Sequence, residues 1–117
     1  MRNQYSRIIN PLIVFLCLVA GSSCAGEPPE GPRSADGTAD SVLMVGRQIW
    51  SRACSSCHAP DGAGGRGPSV HFVEDRYPSI DDQLNLVSKG RGSMPGFGGR
   101  YTNEELEAVV LYTREVL

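Results

Sequence analysis

Five consecutive residues, Cys54-Ser55-Ser56-Cys57-His58, hold the densest reactive chemistry of this chain. Two thiols three positions apart, followed at once by an imidazole, form the attachment pattern of a c-type haem. The thiols are spaced to add to two vinyl groups on one porphyrin edge, and the adjoining histidine then reaches the iron. Three other uses of paired cysteines are weaker fits. A thioredoxin-like pair belongs in a βαβ unit, and the residues before Cys54 read as helix. A zinc site needs four ligands, yet beyond His58 only His71 remains, and no second cysteine pair follows. A plain structural pair leaves His58 without a role. The spacing predicts one covalent haem on Cys54 and Cys57, with His58 on the iron.

Iron has a sixth position, for which Met94 is the candidate. It lies in Gly90-Arg91-Gly92-Ser93-Met94-Pro95-Gly96-Phe97. Glycines let a backbone approach a flat ligand closely, and Pro95 excludes helix there. Methionine more often fills core gaps; that suits Met44, on a predicted helix, better than Met94 in a Gly-rich loop. His71 is the rival ligand, close to His58 in sequence. A His/Met iron is coordinatively full, and the thioether favours the ferrous state.

Haem attachment of this kind is done outside the cytoplasm, and the N-terminus reads as an export signal. Arg2 and Arg7 precede an apolar run from Leu12 to Ala20, and small residues follow at Gly21, Ser22 and Ser23. The run is shorter than the roughly 20 residues that span a bilayer. Cys17 lies within it and is expected to leave with the peptide. Cys24 follows the small residues directly. The segment 18–24 resembles a lipobox, with Gly21 where leucine is usual, so Cys24 is a candidate for lipidation; ordinary cleavage near Ser22 or Ala25 is the alternative. The organisation is then 1–23 signal peptide, 24–40 flexible linker and 41–117 folded domain. Residues 25–39, AGEPPEGPRSADGTA, have no large apolar side chain and are expected to be disordered.

The remaining positions must build the frame. The chain has 117 residues with 11 basic and 13 acidic side chains, a net charge of −2, which offers no electrostatic basis for binding nucleic acid. Fourteen glycines and eight prolines leave room for short helices and long loops only. The spacing predicts a first helix over 41–54, capped by Asp40 or Ser41, with Val42, Val45, Ile49 and Ala53 on one face. Gly46 costs about 1 kcal/mol mid-helix, and the close approach of a second helix would explain it. A second helix is predicted over 80–89, with Ser79 as cap, Gly90 as stop and Ile80, Leu84 and Val87 inward. The last opens on a Thr102/Glu105 capping box and turns Leu106, Val109, Val110 and Val116 inward. No strand is predicted between Ala59 and Pro78. A domain this small has a marginal core, and a haem would complete it.

Residues 41–117 resemble a small class I, single-haem cytochrome c of bacterial type. Gly46 and Trp50 stand in the family's Gly-x-x-x-aromatic pattern, Val109 and Tyr112 where its last helix crosses the first. Gly67-Pro68 and the 88–97 loop match its Gly-Pro and Met-Pro segments. Trp50 replaces the commoner Tyr or Phe, and Phe72 to Pro78 has no clear counterpart. The resemblance implies an all-α fold, three short helices around one covalent haem, and Pro68 accepting a hydrogen bond from His58. It implies one-electron transfer between redox proteins, with membrane-bound donors and acceptors as expected partners, at the periplasmic or outer face of a bacterial membrane. The alternative is a haem subunit of a membrane-associated dehydrogenase or oxidase complex. A peroxidase-like enzyme would dispense with Met94 as a ligand, and a sensory module would need an output element.

Overall fold

The computed structural model describes residues 26–117. The expected signal peptide, Cys17 and Cys24 lie outside the described residues. The chain forms α1 (Ser41–Ile49), a π-helical turn (Trp50–Cys54), α2 (Ser55–His58), α3 (Val73–Arg76), α4 (Ile80–Lys89) and α5 (Asn103–Glu115). Among the described residues there is no β-strand, only two isolated bridges, Arg33 with Ala39 and Arg91 with Met94. The fold is all-helical.

Local chemistry accounts for the helix ends. Asp40 caps α1, its carboxylate accepting from the Val42 and Leu43 amides at 2.8 and 3.0 Å. α5 begins with the full capping box: Thr102 Oγ1 accepts from the Glu105 amide, and Glu105 accepts from the Thr102 amide. Gly90, at φ +75°, ends α4. Ser79 precedes α4 as expected, but its hydroxyl makes no capping bond.

The first predicted helix differs from expectation in length and in face. It continues past Cys54 to His58 by way of the π-helical turn, where the Ser55 amide reaches the Trp50 carbonyl. Its buried face is Leu43, Gly46 and Ile49, with Trp50 next, whereas Val42 and Val45 are exposed. The face is set by where α5 can come closest, and that is Gly46. A Cβ there would lie 2.7 Å from Tyr112 Cβ and closer still to the Ala108 carbonyl oxygen. Ile49, Trp50, Val109 and Tyr112 form the core beside this crossing. On α4 Leu84 and Val87 are partly buried, as expected. Ile80 is exposed, and the buried residue is Gln83, whose amide donates to Thr113 Oγ1 (2.9 Å) and accepts from Arg114 (2.7 Å). A polar side chain can be buried when its hydrogen bonds are made. Arg114 also donates to the carbonyls of Tyr77 and Pro78, tying α5 to the segment after α3.

The Pro-rich stretch before α1 departs from the expected free linker. Pro28 is buried. The Arg47 guanidinium donates to the Pro28 and Pro29 carbonyls and pairs with Glu27 at 2.8 Å. The Tyr112 hydroxyl donates to the Pro29 carbonyl, and Gly31 sits against Leu43 and Val116. Composition correctly reports that these residues have no large apolar side chain to bury. Their carbonyls instead meet donors supplied by α1 and α5, so residues 27–31 form a strap across the crossing.

Two outcomes follow from this packing. Gly46→Ala places a methyl group against backbone that cannot rotate away, and the domain is expected to lose about 3 kcal/mol, the upper end of overpacking costs, measurable as a lowered Tm. Tyr112→Phe removes one hydrogen bond to the strap and is expected to cost about 1 kcal/mol, with faster amide exchange at Glu30 and Gly31. Unchanged exchange there would mean that the strap is held without Tyr112.

Candidate haem-binding site

The helical run from Trp50 to His58 carries both thiols and the imidazole. Cys54 closes the π-helical turn, while Cys57 and His58 lie on α2. Both cysteines are free thiols and partly buried. Burial, with a smaller contribution from Cys57, pushes the Cys54 thiol up to about 12, so it is protonated at neutral pH.

His58 is held on several sides. Its Nδ1–H donates to the Pro68 carbonyl at 2.8 Å. Because a carbonyl can only accept, Nδ1 carries a proton, and in the neutral ring the lone pair is then on Nε2. Gly67 lies flat against the ring; a Cβ there would be 2.6 Å from His58 Cε1 and 2.8 Å from Nδ1. The Trp50 ring lies 6.0 Å from the imidazole, centroid to centroid, tilted by 37°. The loop after the motif folds back onto it: the Gly67 amide donates to the Cys57 carbonyl and the Gly64 amide to the His58 carbonyl, at 2.8 and 2.9 Å.

Met94 is partly buried in a loop folded tightly back on the end of α4. Its amide and carbonyl pair with those of Arg91 at 3.0 and 3.1 Å. The Phe97 amide donates to the Val87 carbonyl, and the Phe97 ring is buried as the loop's anchor. Gly96 approaches the Lys89 and Ser88 carbonyls too closely for any side chain. His71 is otherwise engaged, its Nε2 at 2.8 Å from the Asp61 carbonyl. Cys24 lies outside the described residues.

These residues fit a covalent haem. Two free thiols and an imidazole share one helical run, the imidazole offers a bare Nε2, and its tautomer is fixed from behind. Val70, Leu84, Leu86 and Val87 contribute partly buried apolar side chains on the elements that follow. Sequence reasoning missed one contact here: the Trp50 indole N–H donates to the Pro60 carbonyl at 2.9 Å. The signal that could have found it is tryptophan, with its donor, where phenylalanine or tyrosine is commoner.

Comparison with known proteins gives the same answer. A family model described as cytochrome C oxidase, cbb3-type, subunit III matches residues 42–112. Cytochrome c6 of Gracilaria tenuistipitata var. liui is 39% identical over 75 residues, which is 60% of this chain and 68% of that protein. The crystal structure of cytochrome c6C from Synechococcus sp. PCC 7002 superposes with a TM-score of 0.51 at 31% identity, over 59% of this chain and 89% of that one. Cytochrome cL from Hyphomicrobium denitrificans shares the fold, with a TM-score of 0.57 at 21% identity over 62% of this chain; the match spans 46% of that longer chain. The chain belongs to the class I, single-haem cytochromes c, a family of electron carriers rather than enzymes, each with one covalently bound haem iron. Among the described residues, no helix is long and apolar enough to cross a membrane.

The geometry of the histidine generates a prediction. Gly67→Ala drives a methyl group into the imidazole and is expected to cost about 1–3 kcal/mol and to alter the electron paramagnetic resonance spectrum of the oxidised protein. An unaltered spectrum would show that Gly67 does not confine His58.

Proposed function

We propose that this protein moves single electrons through a haem bound to Cys54 and Cys57 by thioethers, with His58 and Met94 as the axial iron ligands. The observation that carries this reading is the His58 imidazole, set directly after two free thiols, with Nδ1 bound to Pro68 and Nε2 bare. When bound, the haem supplies a one-electron ferric/ferrous couple. His58 donates through Nε2, while the Pro68 carbonyl raises the basicity of the ring and fixes its plane. The tightly tied 90–97 loop restricts where the Met94 thioether can reach, which limits the rearrangement that each electron transfer requires. Leu84, Leu86 and Val87 of α4 are partly buried apolar side chains, and burial is a lever on potential.

The partners are redox proteins that donate and accept one electron. The reading extends to location: residues 1–23 as an export signal, a site in the periplasm or at the outer face of a bacterial membrane, and Cys24 as the acylated residue. Pro28 and Pro29 are held by Arg47 and Tyr112, so an acylated Cys24 would stand only a few residues before a segment held against the domain. Two or more acyl chains give stable anchoring where one does not, and a tethered carrier meets membrane-bound partners at raised effective concentration. A second reading, a haem subunit of a membrane oxidase or dehydrogenase complex, is favoured by the description of the matching family model. Isolation of the protein within a stable multi-subunit complex would decide for it.

The ligand set is tested by absorption. Oxidised protein should show the weak far-red band of sulfur-to-iron charge transfer, and Met94→Ala should abolish it and admit carbon monoxide to the ferrous protein. Loss of the native spectrum in His71→Ala, but not in Met94→Ala, would assign the ligand to His71. The attachment is tested by mass: the denatured protein should retain haem, and Cys54→Ser or Cys57→Ser should leave at most one thioether. Cys24→Ser should leave the spectrum intact and release the protein from membranes. A wild-type protein found only in the soluble periplasmic fraction would refute the anchor.

A further inference from the structure

The turn that leaves the haem motif is strained. Ala59, the residue after His58, has φ +67° and ψ 155°, a region occupied almost only by glycine. Pro60 follows it and adds its own restriction on Ala59. Such a conformation persists only where the surroundings over-determine it. Two amides of the 59–67 loop contribute, Gly62 donating to the Ala59 carbonyl and Gly64 to the His58 carbonyl. The third restraint comes from another element. Trp50, only 2% exposed, lies in the core with Tyr112 and donates its indole N–H to the Pro60 carbonyl at 2.9 Å. The same indole ring stands 6.0 Å from the His58 imidazole.

We propose that Trp50 is a positioning residue for the haem ligand: its indole N–H, by holding Pro60, keeps Ala59 in its strained turn and so sets the orientation of the His58 ring. The inference rests on His58 as the iron ligand. Three restraints then define the ring. Pro68 takes Nδ1, Gly67 covers the Cε1 edge, and Trp50 fixes both the near side of the ring and the turn that leads away from it. Trp50 also stacks near Tyr112, their ring centroids 6.5 Å apart. It therefore links the helix crossing at Gly46 to the iron ligand through one rigid side chain. Phenylalanine at this position keeps an aromatic ring in the core and loses the donor, together with the volume of the indole's second ring, so the Ala59→Gly rescue is what separates the lost hydrogen bond from the lost packing.

The test uses the full-length, haem-loaded protein. In the wild type the Trp50 indole N–H should exchange slowly with solvent and sit downfield in the nuclear magnetic resonance spectrum; fast exchange would overturn the proposal without any variant. Trp50→Phe should shift the midpoint potential and move the paramagnetically shifted His58 ring resonances, while the far-red band of the Met94 side remains. Ala59→Gly can hold the same turn without restraint. Combined with Trp50→Phe, it should return the His58 resonances towards their wild-type positions; alone, it should leave them in place and raise Tm. A Trp50→Phe protein with a lower Tm but unmoved His58 resonances and potential would reduce Trp50 to a packing residue. Failure of Ala59→Gly to rescue would refute the route through the turn. If His58→Ala retained the native spectrum, the ligand assignment itself would fail, whatever Trp50 does.

Discussion

Among the described glycines, Gly46 leaves the least room for a side chain, where α1 meets α5, and the rest of the structure depends on that contact. With no side chain at Gly46, the Ala108 carbonyl and Tyr112 come within a distance that no Cβ could tolerate. That contact sets the rotation of α1, which turns Trp50 into the core and leaves Val42 and Val45 outside. It also aligns Tyr112 so that its hydroxyl reaches the strap at Pro29. Burial raises the Tyr112 phenol above its usual value, with the charge of Arg47 working in the opposite direction. The phenol therefore remains a proton donor to that carbonyl across the physiological pH range.

A domain of this size has few ways to hold a ligand rigidly. Here the rigidity is local and made of backbone. Glycines at 64, 65 and 67 allow the loop after the haem motif to lie against the histidine, and its amides close on the Cys57 and His58 carbonyls. The methionine loop uses the same device, with Gly90 and Gly96 pressed against neighbouring backbone. Two such loops, each closed by main-chain hydrogen bonds, restrict the motion of the side chains they carry or pack against without requiring a large apolar core.

Polar side chains do much of the joining between elements. Gln83 and Thr113 are buried together, and Arg114 extends from them to two carbonyls of the 77–78 turn. Arg47 plays the equivalent part for the strap. In both places a guanidinium gathers carbonyls that regular secondary structure leaves over, which suits its planar fork of donors. These links attach α4 to α5, the helix with the most buried residues, and the N-terminal strap to α1.

Much of this protein is legible in its sequence alone. The Cys54–His58 motif, the Gly46–Trp50 spacing and the capping box at Thr102 are short-range signals: each depends on residue types at fixed positions close together in the chain. The all-helical class follows from the same signals. What the sequence pattern misplaces depends on partners distant in the chain. Periodicity puts the face of α1 one position off, because Val42 and Val45 satisfy the helical period as well as Leu43 and Gly46 do, and only α5 distinguishes them. Polarity alone gives Gln83 no place in the core, since its partners Thr113 and Arg114 lie some 30 residues away. The Pro-rich segment reads as free because its composition reports side chains, while its carbonyls are what α1 and α5 bind. The Trp50 bond to Pro60 belongs to the same class. Covalent spacing determined which chemistry this chain performs; the tertiary structure decided which groups hold it still, because a hydrogen bond between distant residues leaves no periodicity in the sequence.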